Sequence, residues 1–143
     1  MKKGIDYPGV GIVFFCHDGA GNYLLNKRSK NCRDEHGRWD PGGGSLDLGE
    51  KVEDTLKREI AEEYCADVLD FKFMGYRDVL REHEGKKTHW IALDFKVHID
   101  RSKVKNGEPH KFEELEWFSL GNLPSPLHSQ FNAALEKYKD TLI

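Results

Sequence analysis

Apolar residues recur along this chain at two different periods. From Lys51 to Tyr64 they fall on every fourth position, as Val52, Leu56, Ile60 and Tyr64, which predicts a helix with one buried stripe. Val10 to His17 is instead a continuous apolar run rich in β-branched and aromatic residues, the pattern of a buried strand. The turn cluster Asp18-Gly19-Ala20-Gly21-Asn22 follows it, and Tyr23 to Arg28 reads as the returning arm of a hairpin. Ser29 to Arg38 is polar and irregular, a surface loop. Trp39 then leads into Asp40-Pro41-Gly42-Gly43-Gly44, a breaker cluster that the pattern excludes from strand and helix interiors.

Beyond the helix, Val68 to Asp78 and Thr88 to Ile99 have strand character, the second with Ile91, Leu93, Phe95 and Val97 on one face. The charged stretch Arg81 to Lys87, with Gly85, suits a hairpin loop between them. Arg101 to Lys111 is a polar connection, Leu115 to Phe118 a short strand and Leu123 to Leu127 an extended linker. Phe131, Ala134, Leu135 and Tyr138 have helical spacing, so Gln130 to Tyr138 is expected to close the core. Strands interrupted by helices at two separate places predict an α/β (α+β) fold, a mixed sheet flanked by helices.

A length of 143 residues, with 38% hydrophobic and 11% aromatic, suits one domain spanning residues 1–143 around one core. A net charge of -3 argues against binding of a nucleic acid polymer through bulk electrostatics. Lys27, Arg28, Lys30 and Arg33 do cluster and suffice for one phosphorylated small molecule, although by number alone a solvated strand end is the simpler reading. The start, MKKGIDYPG, has no apolar run after its lysines, and no stretch reaches the length of a transmembrane helix. Cys16, Cys32 and Cys65 are odd in number and form no CxxC pair, so neither a disulfide framework nor a zinc site is expected. A cytoplasmic protein with no membrane partner is the expectation.

The chemistry concentrates on the predicted helix. Glu59, Glu62 and Glu63 stand at i, i+3 and i+4 and share one face. On a helical wheel they border the apolar stripe, whereas Asp54, Lys57 and Ala61 lie opposite, so the acids adjoin the core. Like charges at this spacing repel by a few tenths of a kcal/mol per pair, which asks for a compensating cation. Hard divalent ions, chiefly Mg²⁺, take oxygen ligands from a few carboxylates and from substrate phosphates. The preceding Gly42-Gly43-Gly44 allows bare backbone to approach such a substrate. These features together point to a metal-dependent hydrolase of phosphoanhydrides.

Gly44-x5-Glu50-x7-Arg58-Glu59-Ile60-x-Glu62-Glu63 resembles the Nudix box, with every specified position filled. Trp39 and its Pro/Gly turn, Thr88-His89-Trp90, Glu108-Pro109 and Asn122-Leu123-Pro124 resemble the flanking segments of small nucleotide-cleaving Nudix enzymes. The resemblance implies a Nudix-type α/β/α sandwich with a mixed β-sheet between helices. It implies that Glu59, Glu62 and Glu63 bind Mg²⁺, with Mn²⁺ a possible substitute, and that Gly43 or Gly44 offers a carbonyl. It further implies that Glu50 pairs with Arg58 and that Arg58 orients Glu59. A late-loop carboxylate often completes such sites as ligand or base; the spacing to Leu115 and Trp117 favours Glu113 here, with Glu114 and Glu116 facing solvent.

Two positions depart from the box. Cys65-Ala66 stands where glycine and an aliphatic residue normally end the helix, and a left-handed Cys65 would cost roughly 1 kcal/mol, so the chain is expected to leave the helix by another route. Gly42 stands where proline is usual, with Pro41 one place earlier, which is expected to loosen the loop that faces the phosphates. The resemblance implies that the box binds only a shared diphosphate, so specificity falls to other residues: Arg28, Trp39, Tyr76, Trp90, Phe112 and His128 are the candidates. Trp39 and Trp90 have core packing as an equal alternative. The small size and the Trp117…Leu123-Pro124 ending favour a MutT-like hydrolase, monomeric or homodimeric, that converts a nucleoside triphosphate to the monophosphate and pyrophosphate. ADP-ribose or a dinucleotide is the alternative substrate, and a non-catalytic nucleotide sensor the alternative class.

Overall fold

A computed structural model describes residues Met1 to Ile143. The elements run β1 (Gly9–His17), β2 (Asn22–Arg28), β3 (Trp39–Asp40), β4 (Gly43–Ser45), α1 (Val52–Tyr64), β5 (Val68–His83), β6 (Lys86–Ile99), β7 (Phe112–Ser119) and α2 (Phe131–Leu142). The sheet has the order β3-β2-β1-β6-β5, with β4 added to β1 and β7 to β2. β1 and β6 run parallel, in register from Gly9↔Trp90 to His17↔His98, and every other pairing is antiparallel. The sheet is therefore mixed, as expected. No helix is long and apolar enough to cross a membrane.

Strand alternation sends successive side chains to opposite faces and creates two cores. Ile12, Phe14, Cys16 and Leu24 pack with Leu56, Ile60 and Tyr64 of α1. Phe15, Tyr23, Leu25 and Trp39 pack with Phe131, Ala134, Tyr138 and Leu142 of α2. On the α2 side Asp94 is fully buried. Arg77 donates to it twice, at 2.8 Å from both Nε and Nη2, and the Tyr138 hydroxyl donates at 2.7 Å. Burial of this charge is tolerable because its oxygens are so fully bonded.

The hairpin expected at Asp18–Asn22 closes at its turn and nowhere else. β1 and β2 pair only at His17↔Tyr23, then diverge, and the freed edges take up β4 and β7. Inside this fork Asn26 Nδ2 donates to the Tyr64 hydroxyl at 2.9 Å, and that hydroxyl donates to the Pro41 carbonyl at 2.8 Å. Asp18 holds the turn. It accepts from the Ala20 and Asn22 amides, from Asn22 Nδ2 at 3.0 Å and from Arg101 Nη1 at 2.9 Å.

Four expectations need correction. Gly43–Ser45 is a strand after all, paired with Gly11–Val13, because a Cβ on Gly43 would stand 2.5 Å from the Ile12 carbonyl oxygen and only glycine permits the approach. The loop expected over Arg81–Lys87 shrinks to a turn at Glu84-Gly85, both at positive φ, and the strands extend on either side. The closing helix continues to Leu142. Most informative is Cys65, which does adopt the left-handed conformation, at φ 56° and ψ 25°. Segment 105–107 holds it there: the Lys105 and Gly107 amides donate to the carbonyls of Tyr64 and Glu63 at 3.0 and 2.9 Å. A Cβ on Gly107 would lie 2.0 Å from the Glu62 carbonyl oxygen, so this seal needs glycine at 107, while the strain is borne at 65.

Cys65 is exposed, so Cys65→Gly removes strain without leaving a cavity and should raise unfolding free energy by about 1 kcal/mol in urea titrations. Asp18 gives a pH test. Burial pushes its carboxyl up, but the bonds from Asn22, the turn amides and Arg101 outweigh this and hold the pKa at about 2. A depressed folded-state pKa contributes stability that is complete above the unfolded value near 4 and fades as pH falls through 2. The melting-temperature gap between wild type and Asp18→Ala should therefore be full at pH 6 and narrow between pH 4 and pH 2. A gap that stayed constant would mean the Asp18 charge contributes nothing.

Candidate active site

Helix α1 presents its acids beside a turn stripped of side chains. Glu50, just ahead of the helix, grips Arg58 in a bidentate pair, accepting from Nε and Nη2 at 2.8 Å each, and also accepts from the Thr55 hydroxyl at 2.7 Å. The Arg58 bonds, then that of Thr55, hold the Glu50 carboxyl down at about 2, and the Glu50 bond in turn raises the Arg58 pKa. Thus fixed, Arg58 Nη1 donates to Glu59 at 3.0 Å and more loosely to Glu62 at 3.4 Å. A planar guanidinium held at two edges is an effective orienting group for the next carboxylate.

Glu59 lies against the backbone of Gly44, where a Cβ would come within 2.2 Å of its carboxyl carbon. Glu63 is 5% exposed, and its Oε1 has no hydrogen-bond partner. Burial, then the charges of Glu59 and Asp40, push the Glu63 carboxyl well up, against the pull of Lys111 and of the Gly43 amide. Burial raises Glu59 too, with Arg58 opposing and Glu62 reinforcing. Excess negative charge with an orphaned carboxylate oxygen fits a hard divalent cation. No three acidic, histidine or cysteine side chains converge on one point, so the donors form an open site rather than a closed cage. Mg²⁺ usually keeps waters and shares its shell with substrate phosphates, so it needs few protein ligands. Glu59, Glu63, the more exposed Glu62 and the Gly43 and Gly44 carbonyls are the groups available to hold it.

A cavity of about 320 Å³ opens on the other side of the glycine turn, between the sheet and the start of α2. Of the six specificity candidates it gathers Arg28, Trp90 and His128. Trp90 packs on backbone: a Cβ on Gly9 would fall 2.5 Å from its ring. Arg28 is held by Asp34 at 3.2 Å and Asp40 at 3.5 Å. Phe112 borders a second cavity but is 5% exposed and belongs to the α1 core. The other two lie elsewhere. Trp39 is buried in the α2 core, edge-on to Phe118 at 5.2 Å, and Tyr76 is exposed on β5 beneath the Lys137 ammonium.

Glu113 is not brought to the carboxylates of α1. Strict alternation along β7 fails because the register jumps from Lys27↔Glu114 to Arg28↔Phe112, leaving Glu113 as the extra residue of a bulge. It is half-exposed, 3.8 Å from Lys27 Nζ, and borders a separate cavity with Leu115 and Trp117. The late segment instead sends Lys111 towards Glu59 and Glu63. Sequence reasoning missed Lys111, Arg77 and Gln130, for no local spacing marks them; Arg33, noted only as part of a basic cluster, borders both cavities.

Known proteins match this geometry. The chain matches the NUDIX domain over residues 7–139. The nucleoside triphosphatase NudI of Escherichia coli O17:K52:H18 (strain UMN026 / ExPEC) is 29% identical over 132 residues, covering 85% of this chain and 86% of that protein. The oxidized purine nucleoside triphosphate hydrolase of Mus musculus is 30% identical over 98 residues, 62% of this chain and 53% of that protein. Among crystal structures, a MutT NUDIX hydrolase from Burkholderia pseudomallei aligns with a TM-score of 0.81 at 32% identity, over 92% of this chain and 98% of that one. The MutT protein from Methanosarcina mazei Go1, at 23% identity and a TM-score of 0.73 over 95% of this chain and 96% of that one, shares the fold. A match across residues 7–139, with Glu50, Arg58, Glu59, Glu62 and Glu63 assembled around α1, means that the chain belongs to the NUDIX family and is a pyrophosphohydrolase.

Proposed function

We propose that this protein hydrolyses nucleoside triphosphates to monophosphate and pyrophosphate with Mg²⁺ as its cofactor. The observation that carries this reading is the buried Glu63 carboxylate, one oxygen of it unpartnered, beside the Cβ-free turn, with a nucleoside-sized cavity opening from the same turn. The E. coli relative named a nucleoside triphosphatase, which matches over most of both chains, supports the choice of triphosphate.

The reaction forms one bond and breaks one. A water oxygen attacks one phosphorus of the anhydride, the bridging P–O bond breaks, and its electron pair leaves on the oxygen of the departing product. Bound Mg²⁺ would supply neutralisation of the phosphate oxygens and a lowered pKa for the attacking water. The chain's own residues do the positioning. Glu50 fixes Arg58, Arg58 fixes Glu59, and Gly44 lets Glu59 lie flush with the turn where the diphosphate is to sit. A carboxylate of the trio would take the water's proton. Trp90 offers a ring to the base, and Arg28 and His128 offer donors to sugar or phosphate oxygens.

A panel of nucleoside triphosphates, ADP-ribose, dinucleoside polyphosphates and nucleotide sugars, assayed by coupled phosphate release, tests the reading. Turnover should be greatest with a triphosphate and should vanish with EDTA. Preference for ADP-ribose or a dinucleotide would overturn the substrate, and silence across the panel with metal binding intact would mean a sensor. Glu59→Gln and Glu62→Gln should each lower kcat by about two orders of magnitude while the fold persists. Glu53→Gln, which removes only an exposed pair with Lys57 on the same helix, should be nearly silent. Equal losses from all of these substitutions would instead mean general damage to the helix.

A further inference from the structure

The end of β2, loop 31–33, the glycine turn, Glu63 of α1 and segment 110–112 line a second cavity, of about 420 Å³, which meets the first at Arg28, Arg33, Asp40 and the Gly42-Gly43 backbone. Its walls are polarised. On the inner side lie acceptors: Glu63 Oε1 and Asn26 Oδ1, both buried and both without a hydrogen-bond partner, with Asp40 beside them. Cations line the outer side. Lys111 is exposed and in no ion pair, and Arg33, 60% exposed, has only Asp34 at 3.7 Å. The first cavity is more apolar: Val79, Trp90, Ala92, Phe131 and Ala134 stand in its walls beside its arginines, of which Arg77 and Arg81 are committed to Asp94 and to Asp34 and Glu35.

Lys111 is not placed by chance contact. Its carbonyl accepts from the Ser29 amide at 2.7 Å and from Cys32 Sγ at 3.3 Å, and its own amide donates to Glu108 at 2.8 Å. The neighbouring His110 carbonyl accepts from Ser29 Oγ at 2.6 Å and from Asn31 Nδ2 at 3.2 Å. Phe112, on the other side, is anchored in the core. The main chain is thus stitched to loop 29–32, while the ammonium is left uncommitted at the cavity wall. An uncommitted cation facing orphaned acceptors has a gap between them suited to a polyanion with its counter-ion.

We propose that this second cavity is the subsite for the terminal phosphates of the triphosphate, the part released as pyrophosphate, with Lys111 as its principal cationic contact. This rests on the triphosphate reading above and sharpens it. The nucleoside occupies the apolar cavity, the scissile diphosphate crosses the glycine turn, and the terminal phosphates face Lys111 and Arg33. The cavity selects substrates whose second moiety is a phosphate chain and gives no advantage to one ending in a neutral sugar.

Calorimetric titration of inorganic pyrophosphate in Mg²⁺ buffer tests the subsite without turnover. Lys111→Gln should raise Kd about ten-fold and Lys111→Glu further, whereas Lys57→Gln, the same charge change on the exposed side of α1, should leave it unaltered. In steady state Lys111→Gln should raise KM for dGTP about ten-fold and leave KM for UDP-glucose unchanged. If Lys111→Gln binds pyrophosphate as wild type does while dGTP is hydrolysed, the subsite is wrong and the triphosphate reading stands. If wild type does not hydrolyse any triphosphate but Lys111→Gln still loses pyrophosphate affinity, the reading falls and the anion subsite stands. Parallel losses for dGTP and UDP-glucose would also overturn the proposal, since Lys111 would then serve the shared diphosphate.

Discussion

Backbone between residues 42 and 44 runs where no side chain fits. A Cβ on Gly42 would lie 2.6 Å from both Phe14 and the Tyr64 hydroxyl, one on Gly43 2.5 Å from the Ile12 carbonyl, and one on Gly44 2.2 Å from the Glu59 carboxyl carbon. Three different neighbours (core, strand and site) therefore press on one turn. Its closeness to β1 makes β4 a strand, its closeness to Tyr64 ties the turn to the end of α1, and its closeness to Glu59 brings carboxylate and bare peptide together. Gly42 stands at φ +115°, a conformation that L side chains rarely adopt. The displaced proline thus leaves the turn tightly packed instead of loosening it, with Pro41 accepting from Tyr64 at its neck.

Charge is distributed around this turn in a graded way. Glu50 is fully engaged by Arg58 and Thr55, Glu59 partly by Arg58, and one oxygen of Glu63 by nothing. Binding capacity for a cation thus grows along the face of α1 from the loop into the interior. An uncompensated carboxylate in such a place costs several kcal/mol of native stability, a cost retained where a ligand offsets it. The strained Cys65 one helical step beyond shows the same economy: the segment that seals the end of α1 also leads to Lys111, so the seal and the site share one stretch of chain.

Much of this could be read from residue order, and what could not has a common cause. The acids of α1 depend on spacing within one helix, a local matter, and the helix ends where its stripe ends. Local pattern excludes Asp40–Gly44 from strand interiors, because glycine and proline disfavour strands; the contact with Ile12 that makes a strand of Gly43–Ser45 is between distant residues. Glu113 follows from alternation, but a bulge against Arg28 breaks it, and bulges leave little trace in composition. The local energetics of Cys65 disfavour the left-handed region, and hydrogen bonds from 105 and 107 outweigh them. The cavities draw Arg28, Arg77, Trp90, Lys111 and His128 from separate elements, so no window of sequence contains either of them.

Arg28 borders both cavities, between Asp34 and Asp40, whereas Trp90 and Gln130 border only the apolar-walled first and Lys111 only the second. A substitution at 28 is felt at both ends of any molecule that spans the turn, so gains at one end are tied to losses at the other. Substitutions in the unshared walls carry no such coupling, because sites without common partners act nearly additively. A scaffold of this kind can change what it accepts at one end by single steps while the other end, and the chemistry between them, stays as it was.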